Sequence, residues 1–101
     1  MHLVEIFLPL RGNDGSPFPP DKLARVRDKL TEKFGGVTAF SRTPAEGTNR
    51  SGGEIQHDDI VVLEVMTEQL DRSWWAEFRR KLEGDFSQEE IVVREMLISR
   101  L

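Results

Sequence analysis

The sequence predicts an α+β fold in which two helices cover one face of a four-stranded antiparallel sheet. Four segments have the composition of β-strands, and two segments repeat apolar residues at helical spacing. These segments follow one another in the order strand, helix, strand, strand, helix, strand.

Residues 59–66, with the sequence DIVVLEVM, give the strongest strand signal in the chain. β-Branched residues dominate this segment, and Glu64 is the one polar residue after Asp59. A strand with one wet face would alternate apolar and polar residues, whereas a strand covered on both faces is almost continuously apolar. Residues 2–8 also place mostly apolar side chains on both faces. We therefore expect both faces of the sheet to be covered.

Both helices are predicted from apolar residues that recur along one side. In the first helix, Pro20 and Asp21 suit the first turn and Gly35 suits the end. In the second helix, Thr67 or Asp71 can cap the N-terminus. The apolar stripes consist of Leu23, Val26, Leu30 and Phe34 in the first helix and of Leu70, Trp74, Phe78 and Leu82 in the second.

Trp74 and Trp75 are consecutive, so they project about 100° apart on a helix and cannot both point into the core. We expect Trp74 to join the apolar stripe. We expect Trp75 at the helix edge, in ordinary helix-to-sheet packing, on a partner or at the mouth of a pocket.

The other two strands and the connections complete the prediction. Residues 37–42 favour the second strand and residues 90–99 the last one. Residues 9–20 hold four prolines and two glycines and form a turn-rich connection. Residues 41–58 are polar and rich in glycine, which is typical of a long hairpin loop or a functional lid.

This order of elements is that of ferredoxin-like domains, a βαββαβ sandwich. We expect residues 1–101 to form a single ferredoxin-like domain, with the first and third strands in the centre and both helices on one face. The opposite face would present Leu3, Glu5, Phe7, Ile60, Val62, Glu64, Met66, Val92, Arg94 and Met96. Because a monomer rarely exposes such an apolar patch, we expect a homodimer through this sheet face, as in a dimeric α/β barrel.

Composition excludes several classes of function. The absence of cysteine excludes disulfide scaffolds, thiolate metal sites and cysteine nucleophiles. With no signal-peptide pattern and no apolar run of about 20 residues, we expect a cytoplasmic protein without a membrane span. The net charge of -4 and the acidic residues Glu5 and Glu64 on the central strands argue against nucleic-acid binding of the kind seen in RNA recognition modules.

Three stretches carry a resemblance to a known family. These are residues 34–40 (FGGVTAF), residues 44–47 (PAEG) and residues 86–94 (FSQEEIVVR). Through them almost the whole chain resembles a family of small uncharacterised bacterial ferredoxin-like proteins, which implies the fold but no activity. The overall arrangement is similar to the dimeric α/β-barrel superfamily, which includes cofactor-free monooxygenases and enzymes that degrade small molecules.

The best candidates for catalytic residues are Glu5, Glu64 and Arg94. They lie one on each of three strands, among apolar neighbours, on the face predicted to meet the partner. A pocket of low dielectric constant would favour the protonated form of at least one carboxyl group, which suits a general base acting on a small acidic substrate. The alternative is structural, because a buried Arg94 and Glu5 would pair merely to avoid an uncompensated charge.

Two other motifs give weaker signals. His57, beside Asp58 and Asp59, resembles a base or metal ligand, but its spacing supplies too few ligands on one strand face. Residues 12–15 (GNDG) could offer backbone amides to an anion, yet they lack phosphate-loop spacing and are typical of a turn. We therefore expect no metal and no cofactor.

Two hypotheses of function follow. In the first, a small-molecule enzyme or binding protein uses a cavity between the sheet face and its partner, lined by Glu5, Glu64, Arg94 and also Arg42. In the second, the protein is a structural or regulatory homo-oligomerisation module without catalysis, and the sheet face only forms the interface.

Overall fold

A computed structural model describes residues 1–41 and 60–101 in full, together with the backbone of 42, 47–48 and 55–56. Its elements are β1 (His2–Pro9), α1 (Pro20–Phe34), β2 (Thr38–Arg42), β3 (Gly47–Thr48), β4 (Ile55–Gln56), β5 (Ile60–Thr67), α2 (Arg72–Asp85) and β6 (Val93–Leu97). The predicted α+β fold with ferredoxin-like element order is confirmed. The pair β3 and β4 lies within the segment predicted as a loop, residues 41–58, whose first two residues belong to β2. Residues 43–46, 49–54 and 57–59 lie outside the described residues.

The four long strands form one antiparallel sheet in the order β2, β5, β1, β6. The two central strands are the two with apolar side chains on both faces, as expected. In the register, Ile6 of β1 lies opposite Leu63 of β5 and Val93 of β6. Because strand residues alternate between faces, this register fixes which side chains face the helices.

The ends of α1 follow from its sequence. Pro20 occupies the first turn, where its missing N–H costs nothing. Gly35 adopts the left-handed conformation with φ 84°, and its N–H donates to the carbonyl oxygen of Thr31 at 2.8 Å. A side chain with a Cβ would be strained at this φ, so glycine ends the helix here. Val26 and Leu30 of the predicted stripe are buried.

At the start of α2, Asp71 and not Thr67 is the N-cap. The Asp71 carboxylate accepts a hydrogen bond from the backbone N–H of Trp74 at 3.1 Å. The hydroxyl of Thr67 donates instead to the carbonyl oxygen of Gln69. The cap satisfies one of the N–H groups that a helix start leaves without an internal acceptor.

The assignment of the two tryptophans was wrong. Trp75 is 6% exposed and belongs to the core, whereas Trp74 is half-buried. The buried stripe of α2 is Trp75, Phe78 and Leu82, at positions i, i+3 and i+7. Phe34, at the end of α1, stacks on Trp75 with ring centroids 5.2 Å apart and meets Trp74 edge to face at 5.4 Å, so both tryptophans pack against the end of α1.

The core lies between the sheet and the two helices. Its members on the two central strands are Val4, Ile6, Leu8, Val61, Leu63 and Val65. Leu97 lies on the same side of β6 as Val93, but it is 76% exposed. It pairs with His2 at the end of the edge strand β6, where the sheet has a neighbour on one side only.

Replacement of Asp71 by Ala should lower the free energy of unfolding by about 1 kcal/mol, because the N–H of Trp74 loses its acceptor. Urea denaturation followed by tryptophan fluorescence measures this change. Ser73→Ala, an exposed residue in the same helical turn, is the control and should change stability by less than about 0.5 kcal/mol. Equal effects of the two substitutions would contradict the role of Asp71 as a cap.

Candidate functional site

The candidate site lies on the sheet face that carries no helix, which we call the outer face. The register places Thr38 opposite Glu64, Glu64 opposite Glu5, and Glu5 opposite Arg94. The three predicted site residues therefore lie side by side in one row across β5, β1 and β6. We call these three residues the charged row, which Thr38 continues on β2.

Glu5 and Arg94 form the centre of this row. The Nε atom of Arg94 donates to Oε1 of Glu5 at 2.9 Å, and the carboxylate is 93% buried while 56% of the Arg94 side chain is exposed. The guanidinium also lies over the ring of Phe7, with its Cζ atom 4.7 Å from the ring centroid. An unpaired carboxylate at this depth would be costly, so Arg94 compensates the charge that β1 buries.

Arg94 uses only part of its hydrogen-bonding capacity in this pair. A guanidinium has five N–H donors, and Nε supplies one of them. Within residues 1–41 and 60–101, the two terminal nitrogens of Arg94 have no carboxylate partner. More than half of the Arg94 side chain is exposed, and a guanidinium can bind a carboxylate or a phosphate through two parallel hydrogen bonds.

Glu64 lies directly opposite Glu5 on the neighbouring central strand and is half-buried. Two carboxylates in facing positions of a sheet repel one another unless a cation or a proton intervenes. Arg94 lies on the other side of Glu5, so the row contains two neighbouring carboxylates followed by one guanidinium. Such a row can hold one acidic group of a ligand beside a carboxylate that can accept a proton.

Apolar side chains flank the charged row on both sides. One neighbouring row contains Phe40, Val62 and Phe7, and Val92 continues it because its carbonyl accepts from the N–H of Phe7. The other row consists of Met66, Leu3 and Met96. The four exposed members have 42–49% of their surface in water and are Phe40, Met66, Val92 and Met96. The outer face is therefore a charged strip between two apolar strips.

Two of the weaker candidates have separate outcomes. His57, Asp58 and Asp59 lie outside the described residues, as does the side chain of Arg42. Residues 12–15 form the predicted turn, in which the amides of Gly12 and Gly15 already donate to backbone carbonyls and Ser16 N–H donates to Asp14. The last bond lowers the pKa of the Asp14 carboxyl. With these amides occupied inside the turn, no anion cradle is formed.

Among residues 1–41 and 60–101, no cluster of three histidine, aspartate or glutamate side chains is suited to hold a metal ion. In the same part of the chain, neither helix combines the length and the apolar character that a membrane crossing needs.

Sequence analysis missed a second ionic cluster, on the helix-facing side of the edge strand. Nδ1 of His2 lies 3.0 Å from Oε2 of Glu95, and Nη2 of Arg72 lies 3.4 Å from Oε1 of the same carboxylate. The hydrogen bond with His2, and to a smaller extent Arg72, lowers the pKa of Glu95 from its ordinary value of 4.5. The three residues are distant in sequence, so only the pairing of β1 with β6 reveals the cluster.

The sequence also did not predict three hollows between the elements. One hollow of ≈ 250 Å³ lies between α2 and β6. Another, of ≈ 480 Å³, lies beside Trp74 and Lys33. The third, of ≈ 520 Å³, separates the two helices and is lined by several lysines. For the third hollow, the sequence contains one signal: basic residues recur along one side of α1.

The lowered pKa of Glu95 predicts a specific pH dependence. Since the folded pKa lies below the unfolded one, the cluster stabilises the fold above about pH 4.5, and this contribution is lost as the pH falls through the folded pKa. A carboxyl-carbon NMR titration should give a midpoint below 4.5 for Glu95. His2→Gln should move the midpoint up, and Arg72→Met should move it less. A midpoint that does not respond to His2→Gln would contradict this assignment.

The comparisons with known proteins agree with the fold. A phage SAM lyase in complex with S-methyl-5'-thioadenosine is similar with a TM-score of 0.60 and 16% identity, over 94% of this chain and 79% of that chain. A phage SAM lyase in the apo state has a TM-score of 0.62 and 14% identity, over 94% of this chain and 78% of that chain. No protein-family profile and no curated protein matches the sequence. At these identities the likeness shows the fold alone: a small α/β protein with an antiparallel sheet.

Proposed function

We propose that the protein is a homo-oligomeric, small-molecule-binding domain whose site forms on the outer face when a second copy covers it. The observation that carries the proposal is the charged row of Glu5, Glu64 and Arg94 between two exposed apolar strips. In this proposal residues 1–101 act as one domain in the cytoplasm, as expected in the sequence analysis.

The second copy is the occupant that best fits the apolar strips. A two-fold axis brings the same patch of both subunits together, so an apolar strip of one copy can meet an apolar strip of the other. Two sheets that pack face to face lie about 10 Å apart and fill this space with side chains, so the proposed ligand site is a gap in that packing at the charged row. This arrangement is that of the dimeric α/β barrels, and it would remove Phe40, Met66, Val92 and Met96 from water.

The ligand class follows from Arg94. The guanidinium of this partly exposed side chain suits a carboxylate or another planar oxyanion, whereas the apolar strips suit the body of a small organic molecule. Glu5 acts as a positioning residue, because its bond to Nε fixes the orientation of the guanidinium. We therefore propose a small organic acid as the ligand.

The reaction class that fits is proton abstraction. In this proposal the Glu64 carboxylate takes a proton from the carbon beside the acid group of the ligand. The electron pair of that C–H bond moves onto the oxygens of the acid group, where Arg94 stabilises the developing charge. The structural neighbours suggest two further molecules for testing, S-adenosylmethionine and S-methyl-5'-thioadenosine.

The alternative is a structural or regulatory homo-oligomerisation module without catalysis. The observation in its favour is that Glu5 and Arg94 already compensate one another, which is all that a buried charge in an interface needs. Both functions require assembly, and only the first requires a ligand.

Assembly is tested with a matched pair of substitutions in β6. Met96→Glu places a charge in the apolar strip of the outer face and should weaken self-association at least about tenfold. Leu97→Glu changes the next residue, which is more exposed but lies on the opposite side of the strand, and should leave assembly unchanged. Light scattering coupled to size exclusion measures both. A wild-type protein that stays monomeric at high micromolar concentration would overturn the proposal.

Ligand binding is tested by thermal shift with small carboxylic acids, S-adenosylmethionine and S-methyl-5'-thioadenosine. A binder present at about 100 times its Kd should raise the Tm by about 10 °C for a domain of this size. Arg94→Lys keeps a positive charge beside Glu5 but loses the two terminal nitrogens, so it should abolish this shift and preserve assembly. Arg100→Lys, an exposed residue near the C-terminus, is the control. Assembly without any stabilising ligand would favour the structural module.

A further inference from the structure

The hollow between the two helices has an apolar floor and a basic rim. Its volume is ≈ 520 Å³, which lies in the range of small-ligand sites. The floor consists of Val26, Phe78, Leu82 and Phe86. The rim consists of Lys22, Arg25, Lys29 and Lys81, with Asp85 as the one acidic member. It lies on the helical side of the sheet, away from the outer face.

The basic rim results from helical spacing. Lys22, Arg25 and Lys29 occupy positions i, i+3 and i+7 of α1, so they share one side of that helix. Lys81 of α2 adds a fourth basic side chain from the other helix. The two helices contain nine of the 14 basic residues of the chain but only six of its 18 acidic residues. The chain is acidic overall, and yet its helical layer is basic.

Two of the rim lysines face the hollow from different helices. Lys29 of α1 and Lys81 of α2 both line it, and the neighbouring ammonium of Lys81 lowers the pKa of Lys29. In the part of the chain that the structure describes, no carboxylate forms a salt bridge with Lys22, Lys29 or Lys81. The nearest compensation comes from Asp85 and Glu32, whose charges act at longer range. An anion between the two ammonium groups would relieve their repulsion.

The lysines also lie over aromatic rings of the floor and its edge. Nζ of Lys22 is 5.1 Å from the ring centroid of Phe18 and 5.4 Å from that of Phe86. Nζ of Lys29 is 5.8 Å from the centroid of Phe78. These contacts hold the ammonium groups at the mouth of the hollow and keep their positive charge beside an apolar surface.

We propose that this hollow binds a small phosphorylated molecule, with the phosphate between Lys29 and Lys81 and the apolar part of the molecule on the floor. A phosphate carries close to two negative charges at neutral pH, which matches two adjacent ammonium groups better than a carboxylate does. Val26, Phe78 and Leu82 offer no polar partner to the rest of the ligand, so a planar or aliphatic group suits this surface. The site is independent of the charged row on the outer face.

Isothermal titration calorimetry of the full chain at about physiological ionic strength tests the proposal. Adenosine 5'-monophosphate is the probe, and adenosine, which lacks the phosphate, is the control ligand. Saturable binding of the monophosphate is expected, at least about tenfold tighter than binding of adenosine. Lys81→Met should weaken it at least about tenfold. Arg80→Met removes the same charge from the neighbouring exposed residue and should change the affinity less than about twofold.

Two further measurements establish where the phosphate binds and whether it belongs to a soluble molecule. A lysine NMR titration should show the pKa of Lys29 rise when the monophosphate binds, because a dianion favours the charged ammonium. Cosedimentation with vesicles that contain phosphatidic acid distinguishes a lipid headgroup from a soluble phosphate, and no sedimentation is expected. Equal losses for Lys81→Met and Arg80→Met, an unchanged Lys29, or binding to vesicles alone would each overturn the proposal.

Discussion

The two central strands carry apolar side chains on both faces, and the rest of the structure depends on this constraint. Helices α1 and α2 cover one face and bury Val4, Ile6 and Leu63 completely or nearly so. On the outer face, β1 also buries a carboxylate, Glu5, which the chain compensates with Arg94 from the neighbouring strand. The folded chain therefore has one sheet face that the helices cover and one face on which apolar groups remain exposed.

The helical layer and the outer face differ in charge. The helical layer is basic and encloses a hollow with two adjacent ammonium groups, Lys29 and Lys81. The outer face has carboxylates on its central strands and one guanidinium at their edge. A net charge of -4 describes neither surface, because it averages over both. We propose a different acidic ligand for each surface, and the sheet separates the two surfaces.

The predicted elements, and the face that Glu5 and Glu64 share, are confirmed where the signal in the sequence is local. The ends of α1 depend on Pro20 and Gly35, and their backbone preferences act within one turn of the helix. The alternation along β1 and β5 placed Glu5 and Glu64 on one face before any contact was known. The rotation of α2 was missed, since stacking between Trp75 and Phe34 depends on how the two helices approach one another.

The sequence by itself determined the order of the elements, the two-sided apolar character of the central strands and the face that Glu5, Glu64 and Arg94 share, because these properties depend on period and composition. Only the tertiary structure decided the strand register, the hydrogen bond from Arg94 to Glu5, the cluster around Glu95 and the convergence of Lys29 with Lys81. These contacts join residues that are far apart in the chain, and no local preference encodes the distance between them.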